Sequence, residues 1–428
     1  MDDVLQAAPE RVHAYAQLVV QVGLNLQPGQ CVMISAELAH APFVRQVADV
    51  AYQQGARYVH VAWFDAPLAR SRMKYSRPEF LEDLPEFEIV RHRQMVDERW
   101  ARLSLTGDEF PDLFDDVDPN VMQRVQMARA QKLRFYTEAM LANAMQWCVA
   151  AVPTRAWARK VFPQLDAEAA LDALWKAVLR LARADVPDPV AAWRQHEQRL
   201  RNIATFLTRH HVRRLRFVDR QPVDGKPASN LSVTLTERPA WVTGAAVSAR
   251  GVPFIANIPT EEVFTAPHAA HVEGWVRTSR PFFPLMREVR DAFFRFERGE
   301  VVEFHAAKGQ EVLEQFFKIP GANRLGEVAL VDVRSPVHQS GLLFYETLLD
   351  ENAACHIAFG SAYPECMEGG TQLDEDARLA AGLNKSDTHV DVMIGTPTMD
   401  VIAECADGRE VVIMQQGQFT AAVMGEAA

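Results

Sequence analysis

The feature that most constrains this chain is a change of rhythm near residue 212. Before it, short apolar runs of strand length alternate with stretches of helical period. LNLQPGQCVMIS turns at Pro28 and Gly29 into a strand at Cys31 to Ser35, APFVRQVADVAYQQG reads as a helix, and ARYVHVAW and QWCVAAVP read as further strands. Strands separated by helices predict a largely parallel sheet covered on both faces.

Two helices close this half. In DAEAALDALWKAVLRLARAD, Asp166 stands at the cap position and apolar residues at 171, 174, 178 and 181 form one stripe. VPDP makes a corner, and VAAWRQHEQRLRNIATFLTRHH resumes as a second long helix. After it come VRRLRFV, NLSVTLT, VVEFHAAK, VALVDV, HVDVMIG and EVVIMQQG, interrupted most clearly by a helix at 309–318. The fold class expected is therefore α/β: a mostly parallel N-terminal α/β domain, residues 1–212, then a β-rich, barrel-like domain with a few helices, residues 213–428.

Composition narrows the function classes. A chain of 428 residues, 48% hydrophobic, has ample material for two buried cores. Its 56 acidic against 45 basic residues leave a formal charge of −11, a field that repels phosphate backbones and anionic membranes. Nucleic acid and membrane are not expected partners. The opening MDDVLQAAPERVHAYAQLVV lacks the basic start and apolar run of a secretion signal, and no segment reaches transmembrane length. Five scattered cysteines, at 31, 148, 355, 366 and 405, without a CxxC pair, suggest a reducing cytoplasm.

No GxGxxG, GxxxxGK[ST] or GxSxG occurs, so neither a phosphate cradle nor a nucleophile elbow is legible. Cys31 and His60, inside strands, read as structural, as do His268, His271, His305 and His338. The chemistry-bearing residues fall in four clusters of the second half. PTEEVFTAP carries Glu261 and Glu262, LGEVALVDV carries Glu327, DENAACHIAFGSAY carries Glu351, His356 and Tyr363, and NKSDTHVDVMIG carries His389 and Asp391. On a strand His389 and Asp391, two apart, project from the same face. Cys355 and His356, being neighbours, face opposite ways and are poorly placed as a thiol and its base.

Singly, each cluster has an ordinary structural reading: a solvated EE pair, an acid at a strand entrance, a satisfied HxD. Together they offer two imidazoles and at least four carboxylates, more than one tetrahedral ion needs and suited to two ions with shared carboxylates. A mononuclear iron centre made of His356, His389 and Asp391, as in ring-cleaving dioxygenases, uses fewer acids than are present. A peptide-binding protein without metals is the non-enzymatic rival.

NIPTEEVFTAP, LGEVALVD, SGLLFYETLLDENAACHIAFGSAY and GLNKSDTHVDVMIG, in this order, resemble the aminopeptidase T and aminopeptidase S family of cocatalytic metallo-aminopeptidases. The resemblance implies a homodimeric exopeptidase that releases N-terminal residues from peptides with hydroxide activated by two divalent ions, zinc, cobalt or manganese. It implies Glu261, Glu327, Glu351, His356, His389 and Asp391 as metal ligands, Glu262 as general base and Tyr363 as donor to the reacting oxygen. The adjacency of Glu261 and Glu262 leaves their order open. Two departures stand out: HAAHVEGWVRTSRPF after the first motif, and Asp387 beside the HVD pair.

Overall fold

The computed structural model describes residues 9–425 apart from 112, 115, 224 and 225. The MDDVLQAA opening thus lies outside the described residues. The chain forms two compact units: residues 1–194 with 245–259, and residues 195–244 with 260–428.

The first unit is built on the expected parallel sheet. Its five strands run in the order Asn257–Ile258, Trp147–Ala151, Ala101–Thr106, Cys31–Glu37 and Tyr58–Phe64, and every pairing is parallel. Val32, Ile34, Leu103 and Ala150 are wholly buried, as strands in the middle of such a sheet require. Helices Ala41–Gln53 and Ala167–Leu181 follow the sequence pattern closely. Asp166 caps the second of these, its carboxylate accepting from the backbone N–H groups of Glu168 (3.1 Å) and Ala169 (2.9 Å).

The units do not meet at a single cut at residue 212. The long helix Pro189–Arg209 contains the change between them, and residues 245–259 return to the first unit, where Asn257–Ile258 adds an edge strand beside Trp147–Ala151. That return is made of two- and three-residue strands, too short for a period-2 pattern to register.

The second unit is β-rich and antiparallel. An eight-stranded sheet includes Val212–Val223, Lys226–Leu235, Pro267–Arg277, Arg290–Glu297, Glu300–Lys308, Met399–Cys405, Glu410–Gln415 and Gln418–Phe419. A five-stranded sheet has the order His389–Met393, His356–Gly360, Leu325–Val331, Glu262–Thr265 and Val242–Thr243. One core joins them: Leu215, Phe217, Val233, Phe294 and Val401 of the larger sheet cluster with Val263, Val328, Leu330, Ile357, Phe359 and Val392 of the smaller. The smaller sheet therefore spends alternate side chains on this core and leaves its other face for something else. No helix among the described residues is long and apolar enough to cross a membrane. All five cysteines are buried free thiols.

Candidate metal centre

Register across the five-stranded sheet decides which polar side chains meet. Glu262 lies opposite Val331, Ala329 opposite His356, Glu327 opposite Ala358, Ala358 opposite Asp391, and Gly360 opposite His389. Directly opposed residues share a face, and residues two apart on one strand do so too. Glu262, Glu327, His356, His389 and Asp391 consequently all project from the face turned away from the shared core. Ala329 and Ala358 stand between them and keep that face open.

Glu262, Glu327 and His356 offer donor atoms all within 4.8 Å of one another, and so do Glu327, His389 and Asp391. Glu327 belongs to both groups. His356 Nε2 lies 3.0 Å from Glu262 Oε2 and 3.4 Å from Glu327 Oε1, and His389 Nε2 lies 3.4 Å from Asp391 Oδ1 and 3.7 Å from Glu327 Oε2. In both imidazoles the other nitrogen is tied to the backbone. His356 Nδ1 lies 3.2 Å from the Ala354 carbonyl and His389 Nδ1 2.8 Å from that of Ser361. A ring that donates from Nδ1 to a carbonyl presents Nε2 with its lone pair free, which is the posture of a metal-ligating histidine.

Two further predicted residues approach the same face. Glu351 sits in the turn Glu351–Ala353 after the short helix Thr347–Asp350, and the charges of Asp391, Glu262, His356 and Glu327 all act on it. Tyr363 holds its ring 4.9 Å, centroid to centroid, from that of His389 and 6.5 Å from Phe264.

The charges are in tension. Burial, reinforced by Asp391 and Glu262, holds Glu351 well above the ordinary carboxylate range, and burial raises Glu327 against the hydrogen bond from His356. Asp391 goes the other way: burial favours its neutral form, but the charge and hydrogen bond of His389 outweigh that and lower it. Burial alone would lower both histidines. Glu262 and Glu327 nonetheless keep His356 well above its usual value, and Asp391 with Glu327 brings His389 up to about 9. Four carboxylates in one place, Glu262 and Glu327 buried and Glu351 and Asp391 partly so, need positive charge beside them. Protons supply some, and divalent cations, with oxygen and nitrogen donors already convergent, fit the same need.

The pair Glu261 and Glu262 separates as adjacent residues must. Glu262 opens the strand and faces the cluster, whereas Glu261, also buried, places Oε2 3.6 Å from His196 Nε2 on the long helix. The backbone N–H of Glu261 donates to Asn352 Oδ1 at 2.6 Å. Of the pair, Glu262 is the member that stands among the convergent donors.

A profile of the thermophilic metalloprotease (M29) family matches residues 8–419. This chain belongs to that family. Among M29-like relatives it is 40% identical to Aminopeptidase 2 of Geobacillus stearothermophilus over 95% of this chain and 96% of that one. It is 38% identical to Aminopeptidase T of Thermus thermophilus, over 97% of this chain and all of the relative, and 34% identical to Aminopeptidase AmpS of Bacillus subtilis, over 96% and 98%. The solved structure titled wild-type AmpT from Thermus thermophilus superposes with a TM-score of 0.88, covering 97% of this chain and 100% of that one at 38% identity. The family recognised from four short motifs is thus the right one, and the α/β plus β-rich architecture expected for it holds.

Within this M29 site, some neighbours escaped the sequence reading. Asn352, fully buried, ties the Glu261 backbone to the Glu351 turn, while its own carbonyl accepts from Ser335 Oγ (2.9 Å) and its Nδ2 donates to the Leu348 carbonyl (2.9 Å). A lone asparagine in DENAAC between small residues was the only signal. His196 sits on a helix that looked wholly structural. Among the histidines set aside as structural, His338 lies 3.0 Å through Nδ1 from the Ala353 carbonyl, and His268 and His271 stack on each other at 4.0 Å. Cys355 points into the opposite core, with burial pushing its thiol up to about 11, so it offers no thiolate beside His356. Asp387 is exposed and belongs to neither donor group.

Proposed function

We propose that this metalloprotease is an aminopeptidase whose five-stranded sheet holds two divalent cations on its polar face. The observation that carries the reading is the shared face of Glu262, Glu327, His356, His389 and Asp391, divided into two donor groups around Glu327. Glu262, Glu327 and His356 would hold one ion; Glu327, His389 and Asp391 the other; Glu351 completes the donor set. When bound, such ions supply Lewis acidity and make water acidic enough to ionise near neutral pH.

The chain's own residues do the rest. Proton transfer from the attacking water to the leaving amine needs a carboxylate on this same face, which Glu262 and Glu351 supply and Glu261, turned toward His196, does not. Tyr363 is protonated at neutral pH, because burial and then Glu327 and Asp391 raise it well above its ordinary value. Its O–H donates to the carbonyl oxygen of the scissile peptide as negative charge gathers there. The substrates are peptides with a free amino terminus, whose ammonium suits a face this rich in carboxylate. A homodimer in a reducing cytoplasm completes the proposal, and five free thiols suit that compartment.

A mononuclear iron centre is supported less well, since His356 and His389 fall in different donor groups. The test is metal content with activity. Purified protein should carry two divalent ions per chain, lose hydrolysis of aminoacyl p-nitroanilides after chelation and dialysis, and regain it with zinc, cobalt or manganese. N-acetylated peptides should remain intact. One iron per chain, or hydrolysis that survives complete metal removal, overturns the reading.

A further inference from the structure

Strand pairing holds Glu262 from one side only. It is the first residue of Glu262–Thr265, and the ladder continues through Val263, which pairs with Leu330 on one flank and Thr243 on the other. The Thr260–Glu261 peptide just before it lies outside the ladder, between two residues that are only 1% and 6% exposed. A buried peptide unit without strand partners must find them elsewhere.

Two side chains provide them. His196 Nε2 lies 2.8 Å from the Thr260 carbonyl oxygen, and the Glu261 N–H donates to Asn352 Oδ1 at 2.6 Å. Both ends of one peptide bond are thus held, by an imidazole on the long helix Pro189–Arg209 and by an amide in the turn Glu351–Ala353. Both side chains are buried. Asn352 is itself anchored, its Nδ2 donating to the Leu348 carbonyl at 2.9 Å and its own carbonyl accepting from Ser335 Oγ at 2.9 Å. Its amide fits in one orientation, since the oxygen must meet an N–H and the NH2 group a carbonyl.

Asn352 directly follows Glu351, and the clamped peptide directly precedes Glu262. We infer that His196 and Asn352 are positioning residues that fix the spacing of Glu262 and Glu351 across the donor face. The inference rests on the two-ion aminopeptidase reading. Neither residue belongs to a donor group, and both act through the backbone. The clamp does not run through the Glu261 carboxylate, whose Oε2 stands farther from His196 Nε2, at 3.6 Å. A shift of Glu262 against Glu351 displaces a metal donor and a carboxylate of proton transfer at once, so ion affinity and turnover should fall together.

The test uses full-length protein stripped of metal and titrated with zinc in a calorimeter, with turnover of leucyl p-nitroanilide measured on the reloaded form. Asn352→Ala and His196→Asn, the latter too short to reach the Thr260 carbonyl, should each weaken zinc binding and lower kcat by roughly 10–100-fold, with KM little changed. His196→Gln, whose Nε2 can donate to that carbonyl in place of the imidazole, should recover most of both losses. Because the two residues hold one peptide bond, Asn352→Ala combined with His196→Asn should lose little more than Asn352→Ala alone, whereas independent structural contributions would multiply. Melts of the metal-free protein show which variants fold, and the two polar His196 variants decide the matter if Asn352→Ala does not. Zinc affinity and kcat at the wild-type level in folded His196→Asn, or equal losses in His196→Asn and His196→Gln, overturn the inference. Zinc affinity that follows the variants in a protein hydrolysing no aminoacyl substrate would support the clamp and sink the aminopeptidase reading instead.

Discussion

At the scale of single residues, the adjacent acids Glu261 and Glu262 carry the sharpest consequence. Sequence alone cannot order them, because a motif match aligned one position off exchanges their roles. Strand parity can: Glu262 lies opposite Val331 and so on the face of Glu327 and His356, while Glu261 precedes the strand and turns toward His196. Glu262→Gln should therefore lower the bound metal toward one ion per chain together with the rate. Glu261→Gln, which alters the contact with His196 and not the donor face, should keep both ions and change the rate far less. Plasma emission spectrometry of the two purified variants checks this, and metal loss in Glu261→Gln with full occupancy in Glu262→Gln would restore the opposite order.

At the scale of elements, the sheet works because one face is apolar and its other face combines acids, imidazoles and alanines. Ala358 is the telling residue, since it occupies the row between Glu327 and Asp391 and is wholly buried. Ala358→Leu should fill the space where donors converge and abolish metal uptake, while costing about 1–3 kcal/mol of stability as ordinary overpacking does. Thermal melts with metal analysis distinguish that outcome from unfolding. The strands themselves were legible from period-2 runs such as VALVDV and HVDVMIG, and the histidine and aspartate of HVD were rightly put on one face. Pairing order was not, because nothing local states that His356–Gly360 lies between Leu325–Val331 and His389–Met393. Nor was Asn352, whose role depends on a partner 91 positions away in the chain.

At the scale of the whole molecule, all the proposed site residues lie in the second unit, where the concentrated carboxylates make its stability depend on what neutralises them. Asp350 is raised by burial from 3.8 to about 6, and Glu327 and Glu351 are raised as well, so the folded chain binds more protons than the unfolded one above about pH 4. His389, raised from 6.5 to about 9 by Asp391 and Glu327 against its burial, extends that excess to higher pH. Where the folded state holds more protons, stability falls as pH rises. Asp391, lowered by His389 against its burial, opposes the trend only toward the acid end. His40, His60, His92 and His268, all lowered by burial, oppose the trend below about pH 7, so protein stripped of cations should melt at progressively lower temperature from about pH 7 to pH 9. Divalent cations compete with those protons for the same oxygen and nitrogen atoms, so loading should reverse the slope, binding more tightly as pH rises. Free cation at 100 times its Kd stabilises by about 2.7 kcal/mol per site. Calorimetric scans of chelated and reloaded protein across this range measure both slopes, and parallel curves would mean that the buried acids and the bound ions are unconnected.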